Sequence, residues 1–238
     1  LTGRRVGRAL GASSEVVVKE WHGRERTRTA KPLAETAHIV RGLLDGDKVD
    51  FRGEMAGCEG YRLRLDAPHN PLTIAAFGPA AVRVAARQSD RMLLNMVTPA
   101  SLGMLRGQME AAAAEAGREA PKLAVWLCLA VDPSRATIDQ LLRAVVPYLA
   151  APGYSDMMCE AGFPELVTFA RSRPHPRELL AAMPDELVAA IGMVGSVEHI
   201  ADRIEAYRAA GADEICLVPA TADDPCGLLS LQAIKDRG

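Results

Sequence analysis

A chain of 238 residues, 49% of them hydrophobic, can bury one large core or two small ones. A formal net charge of -2 with both signs interspersed, and only 4% aromatic residues, supplies neither a basic surface nor a stacking platform for nucleic acid, and no attraction to an anionic membrane. No apolar run reaches the length of a membrane span. The five cysteines (Cys58, Cys128, Cys159, Cys216, Cys226) contain no CxxC, and the five histidines show no ligand spacing, which predicts buried free thiols, a reducing cytoplasm and no metal.

In chain order, Val6 to Leu10 reads as a short strand, unusually charged by Arg4, Arg5 and Arg8. Gly11-Ala12-Ser13-Ser14 follows. This turn either offers N–H and hydroxyl donors to an anion or is an ordinary loop in which Ser caps a helix, and the residues alone leave both readings open. Pro32 to Leu44 is predicted helical, with Leu33, Ala37, Val40 and Leu44 on one stripe and Gly46 just beyond. Lys48 to Leu65 alternates apolar and polar residues about a glycine-containing centre, the pattern of a β-hairpin exposed on one face.

The stretch from Pro71 to Asn95 organises the rest. Leu72 to Phe77 suits a strand buried on both faces, and Gly78-Pro79 breaks it. Pro79 sits where a helix begins, and Ala80 to Arg87 continues it with Val82 and Ala86 on one face. Met92 to Asn95 forms a second strand, so this is a βαβ unit with parallel strands. The turn at Gly78 presents the N–H groups of a first helical turn, a place where phosphate binds readily, although Gly-Pro also makes plain tight turns.

Pro99 to Ala116 is then an amphipathic helix closed by Gly117, Lys122 to Val131 the most apolar strand, and Ser134 to Leu149 a helix. Pro152 to Gly192 is helical but repeatedly broken by Gly and Pro, a segment that covers a site or decorates the outside. Ser196 caps a helix from Val197 to Ala210, with Ile200, Ile204 and Tyr207 inward, and Asp213 to Pro219 forms a final buried strand before a short terminal helix. Strands near 6–10, 72–77, 91–95, 122–131 and 214–218 alternating with helices mean α/β. Five strands make a doubly wound sheet or most of a (β/α)8 barrel. A complete barrel needs about 250 residues and eight strands, so on the barrel reading three βα units are expected before Leu1.

Four phrases now carry a resemblance: ALGASSEVVVKEWHG (Ala9 to Gly23), PLTIAAFGPAAVRVAARQSDRMLLN, PGYSDMMCEAGF (Pro152 to Phe163) and GSVEHIADRIEAYRAAGADEICLVP (Gly195 to Pro219). In this order they resemble the luciferase-like monooxygenase superfamily, nearest the branch that uses the deazaflavin coenzyme F420. The resemblance implies an α/β TIM barrel of the luciferase-like type in which this chain supplies strands four to eight. It would be a single domain over residues 1–238, with a hairpin insertion at about 48–65 and a helical insertion at about 152–192 before the last strand. It also implies that the turns after strands four and five hold the phosphate-bearing tail and ring edge of the coenzyme. Carried over, these are Gly11, Ala12, Ser13 and Ser14 with Ala75, Ala76, Phe77 and Gly78, and Asn95 at the end of strand six would face the same mouth. Asn95 is equally readable as a strand-end cap. The polar stretch Glu25 to Thr29 departs from the family pattern, and Met96-Val97-Thr98 lacks the Lys of relatives acting on sugar phosphates.

The function implied is an F420-dependent oxidoreductase that exchanges a hydride with an unidentified small organic substrate, as a homodimer without nucleic-acid or membrane partners. The rivals are an FMN-dependent monooxygenase of the same superfamily and a non-catalytic or truncated barrel acting by association. No catalytic residue is nominated, because the family's acid or base comes from early strands. His22 is a candidate only by resemblance, and a helix-face histidine reads as well there.

Overall fold

The computed structural model describes residues 7–63 and 70–237. By internal contacts the chain divides into two compact units, residues 1–93 with 105–123 and residues 94–104 with 124–238.

The first unit is built on parallel strands. β1 (Arg8–Leu10) pairs with β4 (Leu72–Ala75) in the register Leu10↔Ile74, and β4 pairs with β5 (Arg91–Asn95) in the register Ala75↔Leu93. Leu72, Ile74 and Met92 are fully buried, as a two-faced apolar strand requires. The strand reads two residues shorter than its apolar run, although the Ala76 N–H still reaches Leu93 O at 3.3 Å. Val6, Arg4 and Arg5 lie outside the described residues.

Helix α1 (Ala30–Leu44) buries Leu33, Ala37 and Leu44, and α2 (Pro79–Gln88) buries Val82 and Ala86, with Pro79 at its start. A second stripe of α1 carries the hairpin formed by β2 (Lys48–Arg52) and β3 (Gly57–Arg62), which pair antiparallel. Glu35 accepts backbone hydrogen bonds from Glu54, Met55 and Ala56 at 3.0, 2.7 and 2.8 Å. The His38 and Phe51 rings lie 4.7 Å apart, and Gly42 faces Val49 so closely that a Cβ there would stand 2.8 Å from it. At Gly53 a Cβ would meet the Glu35 carboxyl at 2.5 Å, so only glycine lets the hairpin tip close over it. Leu65, expected in this hairpin, lies outside the described residues.

In the second unit β6 (Lys122–Val131) pairs parallel with β7 (Met193–Gly195) and with β8 (Glu214–Pro219). The long apolar strand matches its expected bounds, whereas β7 is a three-residue strand that the sequence pattern hides between Gly192 and the Ser196 cap. Helix α3 (Pro99–Glu115) belongs partly to each unit. Helix α4 (Arg135–Val145) follows β6. The segment expected to be irregularly helical holds α5 (Tyr154–Glu160), α6 (Pro164–Arg171), α7 (Pro176–Ala182) and α8 (Glu186–Ile191). It is no ornament: Met158, Val167, Leu187 and Val188 share one core with Leu142, Val145 and Val194. Helix α9 (Val197–Ala209) starts at Ser196, whose hydroxyl accepts the His199 N–H at 3.2 Å, and buries Ile200 and Tyr207; α10 (Leu228–Lys235) ends the fold.

Two expectations are corrected. The last strand is not buried on both faces: Cys216 is exposed, Val218 is 39% exposed, and Trp126, opposite Cys216 in register, is 47% exposed. The alternation of β8 sends one face inward and leaves the other open. Nor are the thiols uniformly buried. Cys58, Cys128 and Cys159 are half-buried, while Cys216 on the open face and Cys226 in the loop before α10 are exposed. Burial pushes the Cys128 thiol up to about 11, which keeps it protonated and inert.

Candidate functional site

The turns after β1 and β4 are neighbours, because those strands are in register. A Cβ on Gly11 would sit 3.4 Å from that of Ala75. Thus Gly11 and Ala75 lie side by side, and the turns Gly11 to Ser14 and Ala75 to Gly78 both leave the C-terminal end of the parallel strands of the first unit, the end where open and closed α/β sheets place their ligands.

Each turn is shaped by specific contacts. Ser13 has a left-handed backbone (φ 55°), a costly conformation for a residue with a Cβ. Its carbonyl accepts two hydrogen bonds from Arg26, from Nε at 3.2 Å and Nη2 at 2.9 Å. Ser14 behaves as a cap: its hydroxyl accepts the Val17 N–H at 3.3 Å at the start of a π-helical turn spanning Val16–Trp21. Both readings of the Gly-Ala-Ser-Ser turn therefore have a residue to support them. His22 closes that π-turn and is exposed. A cavity of about 220 Å³ opens beside the turn, lined by Gly11, Ala12, Val18, Arg26, Thr29 and Thr36 among others.

The Gly78 turn differs in what it lacks. Gly78 is the residue before the first turn of α2, with extended backbone (φ -73°, ψ 153°) and no side-chain cap, and it is exposed with nothing within 4 Å of where a Cβ would be. Helix α3 after β5 is capped by Thr98, whose hydroxyl accepts the Ser101 N–H at 3.1 Å. Helix α4 after β6 is capped by Ser134, and Asp223 accepts hydrogen bonds from both the Ser134 and Thr137 hydroxyls, which holds its carboxyl below the usual range. The chain thus neutralises the positive start of α4 with its own acid and leaves the start of α2 uncapped. Ala76 is buried, Ala75 and Phe77 half-buried.

Asn95 ends β5 in the second unit. Its side chain hydrogen-bonds to the hydroxyl of Tyr154 on α5, whose ring lies 4.7 Å from that of Tyr148. Arg26 and Tyr154 are the two residues that sequence reasoning missed. The departure of Glu25 to Thr29 from the family pattern marks the stretch that holds the first, and nothing in the sequence marks the second.

A family model described as luciferase-like monooxygenase matches residues 1–214. A 5,10-methylenetetrahydromethanopterin reductase of Archaeoglobus fulgidus is 23% identical over 225 residues, which cover 90% of this chain and 68% of that protein. A reductase of the same description from Methanolobus tindarius is 31% identical over 129 residues, 53% of this chain and 39% of that one. Among solved structures, an F420-dependent secondary alcohol dehydrogenase in complex with an F420-acetone adduct superposes with a TM-score of 0.75 at 20% identity, over 98% of this chain and 71% of that one. A type II Baeyer-Villiger monooxygenase component from Pseudomonas putida in complex with FMN reaches 0.56 at 17% identity, over 95% and 68%. The fold is accordingly the mixed α/β architecture of these proteins.

Proposed function

The chain belongs to the luciferase-like monooxygenase family, and from that membership we propose that it is an oxidoreductase that uses coenzyme F420 to transfer a hydride to or from a small organic substrate. The reductases it resembles and the F420-dependent dehydrogenase it superposes on support this reading over the FMN enzyme, whose superposition has the lower TM-score. In the same reading β1, β4, β5, β6 and β8 are strands four to eight of a (β/α)8 barrel, and the protein works as a cytoplasmic homodimer.

The single observation that carries the site is the uncapped, exposed start of α2. Its N–H groups are available to a phosphate, with the dipole of a ten-residue helix behind them. The residues present therefore fit a phosphate-bearing coenzyme. Gly78, Phe77, Ala76 and Ala75 would hold the phosphate-bearing tail, and Gly11, Ala12, Ser13 and Ser14 the ring edge. Asn95 is a further proposed contact. The coenzyme, when bound, supplies the hydride at ring carbon C5; the chain binds it, orients it and keeps water away. Arg26 contributes by holding the Ser13 carbonyl in its strained turn.

Separate titrations with F420 and FMN, followed by quenching of Trp21 and Trp126, test the reading. Saturable quenching by F420 at lower concentration than FMN is expected. Tighter FMN binding would move the assignment to the monooxygenases, and binding of neither would overturn both.

A further inference from the structure

We propose that the cavity of about 220 Å³ beside the turn after β1 is a binding site for a small organic carboxylate, received by the guanidinium of Arg26. Every residue lining it lies in the first unit, and the proposal does not depend on the coenzyme.

Arg26 is half-buried and commits one edge of its guanidinium to the Ser13 carbonyl, through Nε at 3.2 Å and Nη2 at 2.9 Å. That contact fixes the plane of the group. The other edge, Nη1 with the outer hydrogen of Nη2, keeps two parallel N–H donors, the fork that a carboxylate accepts with both oxygens. Among the described residues no carboxylate pairs with Arg26, and a half-buried cation without an anion carries a desolvation cost that a bound anion offsets. Arg28, two residues on, is already paired with Glu54 at the hairpin tip. Thr29 and Thr36 bring hydroxyls to the same cavity; Thr29 precedes α1 without capping it, and neither hydroxyl bonds a protein group among the described residues. Glu25 also lines the cavity, but it is exposed and forms no ion pair with Arg26. Val18, Pro32 and Leu33 give the cavity an apolar wall. An apolar cavity of about 150 Å³ holds benzene, so this one has room for an apolar body whose carboxylate meets Arg26. Its shape is set before a ligand arrives. Ser13 and Arg28 hold left-handed backbone at φ 55° and 50°, and Val18 sits in a π-helical turn, irregularities that concentrate at functional sites.

The probe is benzoate, titrated into isotope-labelled protein beside its neutral and cationic counterparts, benzamide and benzylamine, with backbone amide shifts as the readout. Saturable shifts at Gly11, Ala12 and Thr29 are expected with benzoate. Benzamide is expected to bind at least about tenfold more weakly, the order of a charge-assisted hydrogen-bonded pair. Arg26→Gln should bring benzoate down to the level of benzamide. Thr36→Leu, which fills the cavity from α1 and leaves Arg26 in place, should abolish the binding of both. No saturable shift with benzoate, shifts confined to other amides, equal binding of benzamide, tighter binding of benzylamine, or wild-type benzoate affinity in Arg26→Gln would each overturn the proposal. Should Arg26→Gln not fold, the three probes on the wild type decide by themselves. F420 affinity is measured separately, so the coenzyme reading stands or falls on its own titration.

Discussion

Glu35 is a carboxylate on a helix face that would pass for solvated, yet it organises a tip of backbone. Partial burial pushes its carboxyl up, but the N–H groups of Met55, Glu54 and Ala56, with Lys31 nearby, outweigh this and hold it below the ordinary 4.5. A folded-state value below the unfolded one means that the contribution to stability is present above the ordinary carboxylate range and is lost as pH falls through the folded value. Amide resonances of Glu54 to Ala56 should therefore titrate with a midpoint below 4.5, and Glu35→Gln should abolish that titration. A midpoint above 4.5 would contradict the anchor. At Gly78 the argument concerns a ligand. The extended backbone there suits a capping side chain, and there is open space for one. Gly78→Asp should melt at or above the wild-type temperature, because it caps α2, while F420 affinity falls at least about tenfold because the carboxylate occupies the N–H groups and repels phosphate. Parallel loss of stability and binding would mean that Gly78 is merely structural.

At the scale of elements, the sequence is most legible where a side chain answers to one local rule. Ser196 before an acidic first turn marks the start of α9, and the structure shows its hydroxyl on the His199 N–H. Ser196→Ala should cost about 1 kcal/mol in urea denaturation, the usual worth of such a cap. No measurable loss would mean that tertiary packing alone fixes this helix. The strand β6 and the hairpin were legible through period and length. β7 was not, since Met193-Val194-Gly195 is too short to show a period, and its partner is 64 residues earlier at Leu129. The stripe of α1 formed by Glu35, His38 and Gly42 was hidden for another reason: its residue types are those of an exposed face, and only the hairpin makes it an interface. In the candidate site the glycines and small residues could be read, because backbone-directed binding leaves a compositional trace. Arg26 and Tyr154 act through a carbonyl and a carboxamide distant in sequence, and the polar stretch around Arg26 is the one trace that such contacts leave here.

For the molecule as a whole, the division into units does not follow linkers. The boundaries fall inside β5, inside α3 and at the second residue of β6, so three regular elements each contribute hydrogen-bonded residues to both units. The hairpin stands apart from this continuity. β2 and β3 pair with each other, and the hairpin rests on α1 through Glu35, His38 and Gly42. For an engineer this makes the tip between Gly53 and Gly57 a handle: a peptide tag or reporter grafted there would interrupt no parallel strand, and acid would loosen it at the carboxylates that hold it down, Glu35 beneath it and Glu54 on it, which pairs with Lys31 and Arg28.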